Sequence, residues 1–173
     1  MIFDIITVLF VTKVRCLRFN FASYQLQIMA TQDIFERLRN GETIFSDDSE
    51  AYKMREASFA TKALLLKLNN TSIPSEIREL LSEITASEID HSVTVFTPLH
   101  INYGKHTKIG KNVFINFDCV FLDLGGITIE DNVQIAPKVN LLSEGHPILS
   151  ESRHALTVGH IHIKKNMMEQ VIL

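Results

Sequence analysis

Ile109-Gly110-Lys111-Asn112-Val113 and Ile129-Glu130-Asp131-Asn132-Val133 are two copies of one pattern, and Ile163-Lys164-Lys165-Asn166 begins a third. Around them an apolar residue returns at every sixth position: Ile89, Val95 and Ile101, then Ile109, Ile115 and Phe121, then Ile129, Ile135 and Leu141. Two extra residues separate each triplet from the next. An amphipathic helix would need a period near 3.6, which these residues do not follow. A six-residue period fits a short flat strand followed by a tight corner, and three such sides close a triangular coil. The hexad's apolar residue then points into the prism, and parallel ladders of backbone hydrogen bonds join successive coils. Asn, Asp and Gly near the corners suit turns with positive φ. The spacing therefore predicts a parallel β-helix over residues 89–142, with Ile109, Ile115, Ile129 and Ile135 inside it.

The same ladder marks where the chain departs from the prism. Too many residues lie between Leu141 and Ile163 for one corner, so a loop leaves the prism there. It carries Gly145-His146-Pro147, Ser150 to Arg153, and His154. After Ile163 the next inward position is Glu169, and a carboxylate is unsuited to an apolar interior. The repeat is therefore expected to stop after about three and a half coils.

Upstream the period changes. Ile34, Phe35 and Leu38 follow helical spacing from Asp33 to Arg39, and Gly41 suits a stop. Asp48 or Ser49 is placed to cap a second helix that carries Tyr52, Phe59, Ala63 and Leu66 on one face. Pro74 suits the first turn of a third, lined by Ile77, Leu80, Leu81 and Ile84. The expected organisation is a leader outside the fold over 1–28, a helical cap over 31–86, a β-helix over 87–166 with a loop near 143–160, and a tail over 167–173. In the leader, the apolar run from Ile2 to Val11 precedes Lys13, Arg15 and Arg18, the reverse of a secretory signal. A short membrane anchor is the alternative there.

Composition narrows the function classes. Of 173 residues, 46% are hydrophobic and 21% charged, which is a globular composition. The net charge of −3 argues against a polyanion-binding surface, hence no nucleic acid partner. Cys16 and Cys119 are too few for a disulfide framework. No apolar run reaches the roughly 18 residues of a membrane span, so no membrane partner is expected and the location is read as cytoplasmic.

Residues 33–166 resemble the maltose/galactoside O-acetyltransferase family of hexapeptide-repeat acyltransferases. Arg39-Asn40-Gly41-Glu42 followed by Phe45-Ser46-Asp47 is similar to that family's N-terminal segment. Asn102-Tyr103-Gly104 with Ile109-Gly110-Lys111-Asn112, and Phe114-Ile115-Asn116-Phe117-Asp118 with Asp123, are similar to two of its coil motifs. Gly145-His146-Pro147 is similar to its catalytic loop. The resemblance implies a left-handed β-helix, a homotrimer, and acetyl transfer from acetyl-CoA, as co-substrate, to a hydroxyl of a sugar or similar polyol, with no metal. It implies His146 as the catalytic base and Asn116 as a residue that hydrogen-bonds the acceptor. It also places Asp47, Arg55, Asn102 and Asp123 around the acceptor, with Phe114 where the family often has Tyr. Cofactor-binding residues are not assigned. Family members carry further coils beyond the Ile163 position, so impaired activity is expected of this chain.

Each residue also has a plainer reading. Asn116 suits a corner, Asp47 and Asp48 suit a helix cap, and Arg55 suits a solvated helix face. His160 and His162 share one strand face, as metal ligands do, but no third ligand is fixed beside them by pattern. Two other functions remain open: a non-catalytic remnant of such an enzyme, and a zinc β-helix of the γ-carbonic-anhydrase type.

Overall fold

The computed structural model describes residues 32–169. The expected leader over 1–28, and residues 170–173 of the expected tail, lie outside them. Three helices come first: α1 (Ile34–Arg39), α2 (Ala51–Leu68) and α3 (Pro74–Thr85). Twelve short strands follow: β1 (Thr94–Val95), β2 (Leu99–Ile101), β3 (Thr107–Ile109), β4 (Phe114–Ile115), β5 (Cys119–Leu122), β6 (Ile127–Ile129), β7 (Gln134–Ile135), β8 (Asn140–Leu142), β9 (Glu144–Gly145), β10 (Thr157–Val158), β11 (Ile161–Ile163) and β12 (Met168–Glu169).

The strands sort into three parallel faces, β1-β4-β7-β12, β2-β5-β8 and β3-β6-β11. Val95 pairs with Ile115 and Ile115 with Ile135, so one coil takes twenty residues. This is the triangular β-helix that the six-residue period predicts. Each side sends inward both the hexad residue and the one two positions before it, because strand side chains alternate. Val113 and Ile115, Cys119 and Phe121, and Ile127 and Ile129 stack in one continuous buried cluster. Of the four side chains expected inside, Ile115, Ile129 and Ile135 are fully buried, and Ile109 is half-buried against the same cluster. Ile109 sits on β3, the edge strand of its face, with no coil of the described residues stacked on its other side.

The corners repeat with the coils. Asn112, Asn132 and Asn166 adopt φ of 54°, 58° and 63°, and Asp118 and Lys138 adopt 59° and 62°. Asn tolerates this region better than other non-glycine residues. Asn112 Nδ2 also donates to Asn132 Oδ1 at 2.9 Å, which ties one coil to the next.

The helices close the first coil. Leu65, Leu68, Ile77, Leu81 and Ile84 belong to the same buried cluster as Val93 and Leu99. Asn69, just after α2, completes the closure: its Nδ2 donates to the Leu99 carbonyl and its Oδ1 accepts the Leu99 N–H, both at 2.9 Å. The amide thereby stands in for a neighbouring strand at the open edge. Gly104 is required by this packing. Its φ is +87°, and a Cβ there would meet the Ile84 carbonyl oxygen at 2.5 Å. α2 differs from the expectation in which face it buries. Thr61, Leu65 and Leu68 are buried, whereas Tyr52, Phe59, Ala63 and Leu66 form an exposed apolar stripe.

The loop after β8 is a hairpin. β9 and β10 pair antiparallel, with Gly145 opposite Thr157. The prism then resumes in register: Ile161 pairs with Ile127 and Ile163 with Ile129. The ladder continues past Asn166, because β12 pairs with β7 and sets Glu169 opposite Ile135. The start of the expected tail is thus a further strand of the same face.

Ile115 has no exposed surface and lies in the middle of the stack. Ile115→Ala should lower the unfolding free energy by about 2–5 kcal/mol, through lost burial and a residual cavity, as read from urea denaturation.

Candidate active site

The β9–β10 hairpin projects from the β2-β5-β8 face toward the N-terminal segment. Ile44 N–H donates to the Leu156 carbonyl at 2.9 Å, and Leu156 N–H donates back at 2.7 Å. This isolated bridge sets the turn before α2 beside the hairpin. Arg37 stiffens that turn: its Nη2 reaches Glu42 Oε1 and Asp48 Oδ2, each at 2.7 Å. The guanidinium holds the Asp48 carboxyl below the usual carboxylate range. Asp48 Oδ1 also accepts the Glu50 N–H at 2.9 Å, a local turn just ahead of α2; the helix's N-cap is Glu50, without a side-chain cap bond, so neither Asp48 nor Ser49 caps it as expected.

Between turn, helix and hairpin lies a cleft of about 590 Å³, walled by Phe45, Ser46, Asp48, Tyr52, Arg55, His146 and His154 among others. His146 Nδ1 lies 2.8 Å from the Ala155 carbonyl. A carbonyl only accepts, so Nδ1 carries a proton, and in the neutral ring the lone pair is on Nε2. Such an imidazole is oriented to take a proton from a bound hydroxyl. A second, more apolar groove of about 530 Å³ runs between α2 and strands β2 and β5. Arg55 lines both spaces, and Asn102 lines the groove.

The expected site residues therefore fall into four places. His146 and Arg55 share the cleft, and Asn102 joins them through the groove. Asp47 is exposed on the turn, between the cleft-lining Ser46 and Asp48. Asn116 and Phe114 lie on the β1-β4-β7-β12 face, away from the hairpin's face. There Asn116 Oδ1 accepts the Phe117 N–H at 2.9 Å, and Phe114 packs edge-on to Phe96 with ring centroids 5.1 Å apart.

Asp123 has another place. It is wholly buried, and it accepts the Tyr103 and Gly104 N–H groups at 2.8 Å and the Thr107 hydroxyl at 2.9 Å. Burial pushes its carboxyl above the usual range, against the pull of those donors. Its oxygens are engaged in shaping the loop 102–107.

Residues that pattern alone does not single out are Glu144, Ser58 and the Ala155 carbonyl. Glu144 and His146 share the i, i+2 spacing of one strand face, which is the one sequence signal for it. His160 and His162 have partners on the β3-β6-β11 face: Nε2 of His160 lies 3.1 Å from Thr128 Oγ1, and Nε2 of His162 lies 2.7 Å from Glu130 Oε1. Among the described residues no three His, Cys, Asp or Glu side chains cluster as a metal site would require. No helix among them is long and apolar enough to cross a membrane.

The chain matches no protein-family model. It is 36% identical over 120 residues to a galactoside O-acetyltransferase of Escherichia coli (strain K12), covering 68% of this chain and 57% of that protein. The structure of a galactoside acetyltransferase in complex with coenzyme A superposes with a TM-score of 0.66 at 30% identity, covering 79% of this chain and 68% of the other. The chain belongs to the galactoside/maltose O-acetyltransferase family. A maltose O-acetyltransferase from Clostridium difficile 630 also superposes, with a TM-score of 0.66 at 26% identity over 75% of this chain and 69% of its own. Membership gives the prism its hand: it is the left-handed parallel β-helix of hexapeptide-repeat acetyltransferases. The chain spans 57% of the length of its Escherichia coli relative.

Asn in place of Asp123 would turn an amide NH₂ toward donors that now meet a carboxylate. Asp123→Asn should lower the unfolding free energy by about 2–4 kcal/mol, measured by thermal or urea denaturation.

Proposed function

We propose that this chain is an acetyl-CoA-dependent O-acetyltransferase that acts on a hydroxyl of a sugar or similar small polyol. The observation that carries the reading is His146, held in one tautomer by the Ala155 carbonyl at the wall of an open cleft. A neutral alcohol is a poor nucleophile and needs a positioned base as it attacks. Nε2 of His146 takes the hydroxyl proton while the alcohol oxygen bonds to the acetyl carbonyl carbon. The tetrahedral intermediate then collapses, the carbon–sulfur bond breaks, and the proton passes from His146 to the departing thiolate. No acyl-enzyme is required. Cys119 is buried, and burial pushes its thiol up in pKa, away from the reactive thiolate.

The relatives support this reading over a zinc β-helix: a galactoside O-acetyltransferase shares the sequence, and a galactoside acetyltransferase bound to coenzyme A shares the fold. Arg55, Asn102 and Asp47 frame the acceptor, and Asp123 supports them from below by shaping the 102–107 loop. Asn116 and Phe114 complete the site on a neighbouring copy. They sit on a different prism face from His146, so a homotrimer that sets one face against the next brings them to the cleft. The exposed stripe of Phe59 and Leu66, 65% and 67% accessible, and the apolar groove beside it suit burial in that assembly.

His146→Ala should lower turnover by roughly 10²–10⁴-fold with little change in acceptor KM, in an assay that counts thiol released from acetyl-CoA. An equal rate would reject the assignment. Mixing tests the shared site. Chains carrying His146→Ala and chains carrying Asn116→Ala, each nearly inactive alone, should regain about a quarter of wild-type activity after co-refolding in equal amounts. Recovery of no activity would place both residues in one subunit's site.

A further inference from the structure

We infer that Glu144 is a positioning residue of this site: it fixes the amide of Asn102 in one orientation and anchors the hairpin that carries His146. The inference rests on the reading of His146 and Asn102 given above. Glu144 stands on β9, two residues before His146, and each of its oxygens has its own donor. Oε2 accepts the Leu124 N–H at 2.7 Å, and Oε1 accepts Asn102 Nδ2 at 2.6 Å. Leu124 belongs to the corner between β5 and β6, so the first bond ties the hairpin's root to the coil beneath it. A Glu used only for solubility would not be turned inward onto a main-chain amide.

The second bond decides the orientation of Asn102. An ionised carboxylate only accepts, so it must face the amide nitrogen. The amide oxygen is thereby turned to Ser58, whose single hydroxyl proton has two acceptors in reach, Asn102 Oδ1 at 2.7 Å and the Met54 carbonyl at 2.9 Å. Ser58 lies on α2, three residues after Arg55, so the helix that lines the cleft holds the other end of the same amide. With one N–H given to Glu144 and one lone pair to Ser58, Asn102 keeps one N–H and one lone pair for a ligand. Their directions are set by the two anchors. Burial raises the Glu144 pKa, with the nearby Asp123 charge acting the same way, while the two donors pull it down.

Glu144→Gln keeps the shape and removes that property. Its amide oxygen can satisfy one donor, but its NH₂ then confronts the other, and Asn102 is free to turn over. In the full chain, kcat/KM for the acceptor should fall about 10–100-fold. Asn102→Ala should fall comparably, and the double variant should be no worse than the poorer single, because both changes remove one arrangement. Glu144→Asp, which restores an acceptor-only group, should recover part of the loss. A wild-type rate in Glu144→Gln, or losses that simply multiply in the double variant, would overturn the inference. If the wild-type chain transfers no acetyl group to any acceptor, the functional reading fails, and the inference is judged by NMR instead. The Asn102 side-chain NH₂ protons should then exchange slowly in the wild type and markedly faster in Glu144→Gln. Equal exchange in both would overturn it.

Discussion

The whole molecule hangs on the stacking of apolar side chains at a fixed interval along a coiled chain. Ile115 sits on Ile135 because the two backbones are hydrogen-bonded neighbours, and the same is true of Ile109 and Ile129. Each buried aliphatic contributes roughly 1.5–3 kcal/mol. The larger effect is on register. A slip of one residue would turn every inward side chain outward, so the stack admits one alignment of coil on coil. The rest of the architecture is placed relative to that alignment.

The active-site elements are departures from the stack rather than parts of it. The hairpin leaves after β8 and rejoins at β11 without disturbing the register on either side. A rigid prism can carry such an excursion because its cost falls on loop residues and not on the core. The excursion is nonetheless tied down at two points, the bridge from Leu156 to Ile44 and Glu144 on the β5–β6 corner, and within it the Ala155 carbonyl fixes His146.

The helical cap serves two purposes with adjoining sides of one element. One face of α2 buries Thr61, Leu65 and Leu68 and closes the first coil. Another carries Arg55 and Ser58 to the cleft and groove, beside an exposed apolar stripe. A helix that packs on the core and also lines a cleft and a groove cannot show one clean apolar side, and α2 accordingly lacks a single amphipathic stripe.

What the sequence alone determined was the prism, its inward residues, its Asn-rich corners, and the position at which the loop leaves it. Those follow from a period, and a period is a local property that can be read without coordinates. The motif around His146 also pointed to that residue, which lies at the wall of the cleft. The tertiary structure decided what depends on faces meeting. It buried the side of α2 opposite to the one whose apolar spacing stood out, because the prism's open end accepts Leu65 and Leu68. It gave Asp123 to the main chain of a neighbouring coil, a partner twenty residues away that no spacing rule names. It joined Glu144, Asn102 and Ser58, which lie in three separate segments, through hydrogen bonds that exist only after coil and cap have docked. It also set Asn116 and His146 on different prism faces, since the triangular section turns the chain through a corner between them.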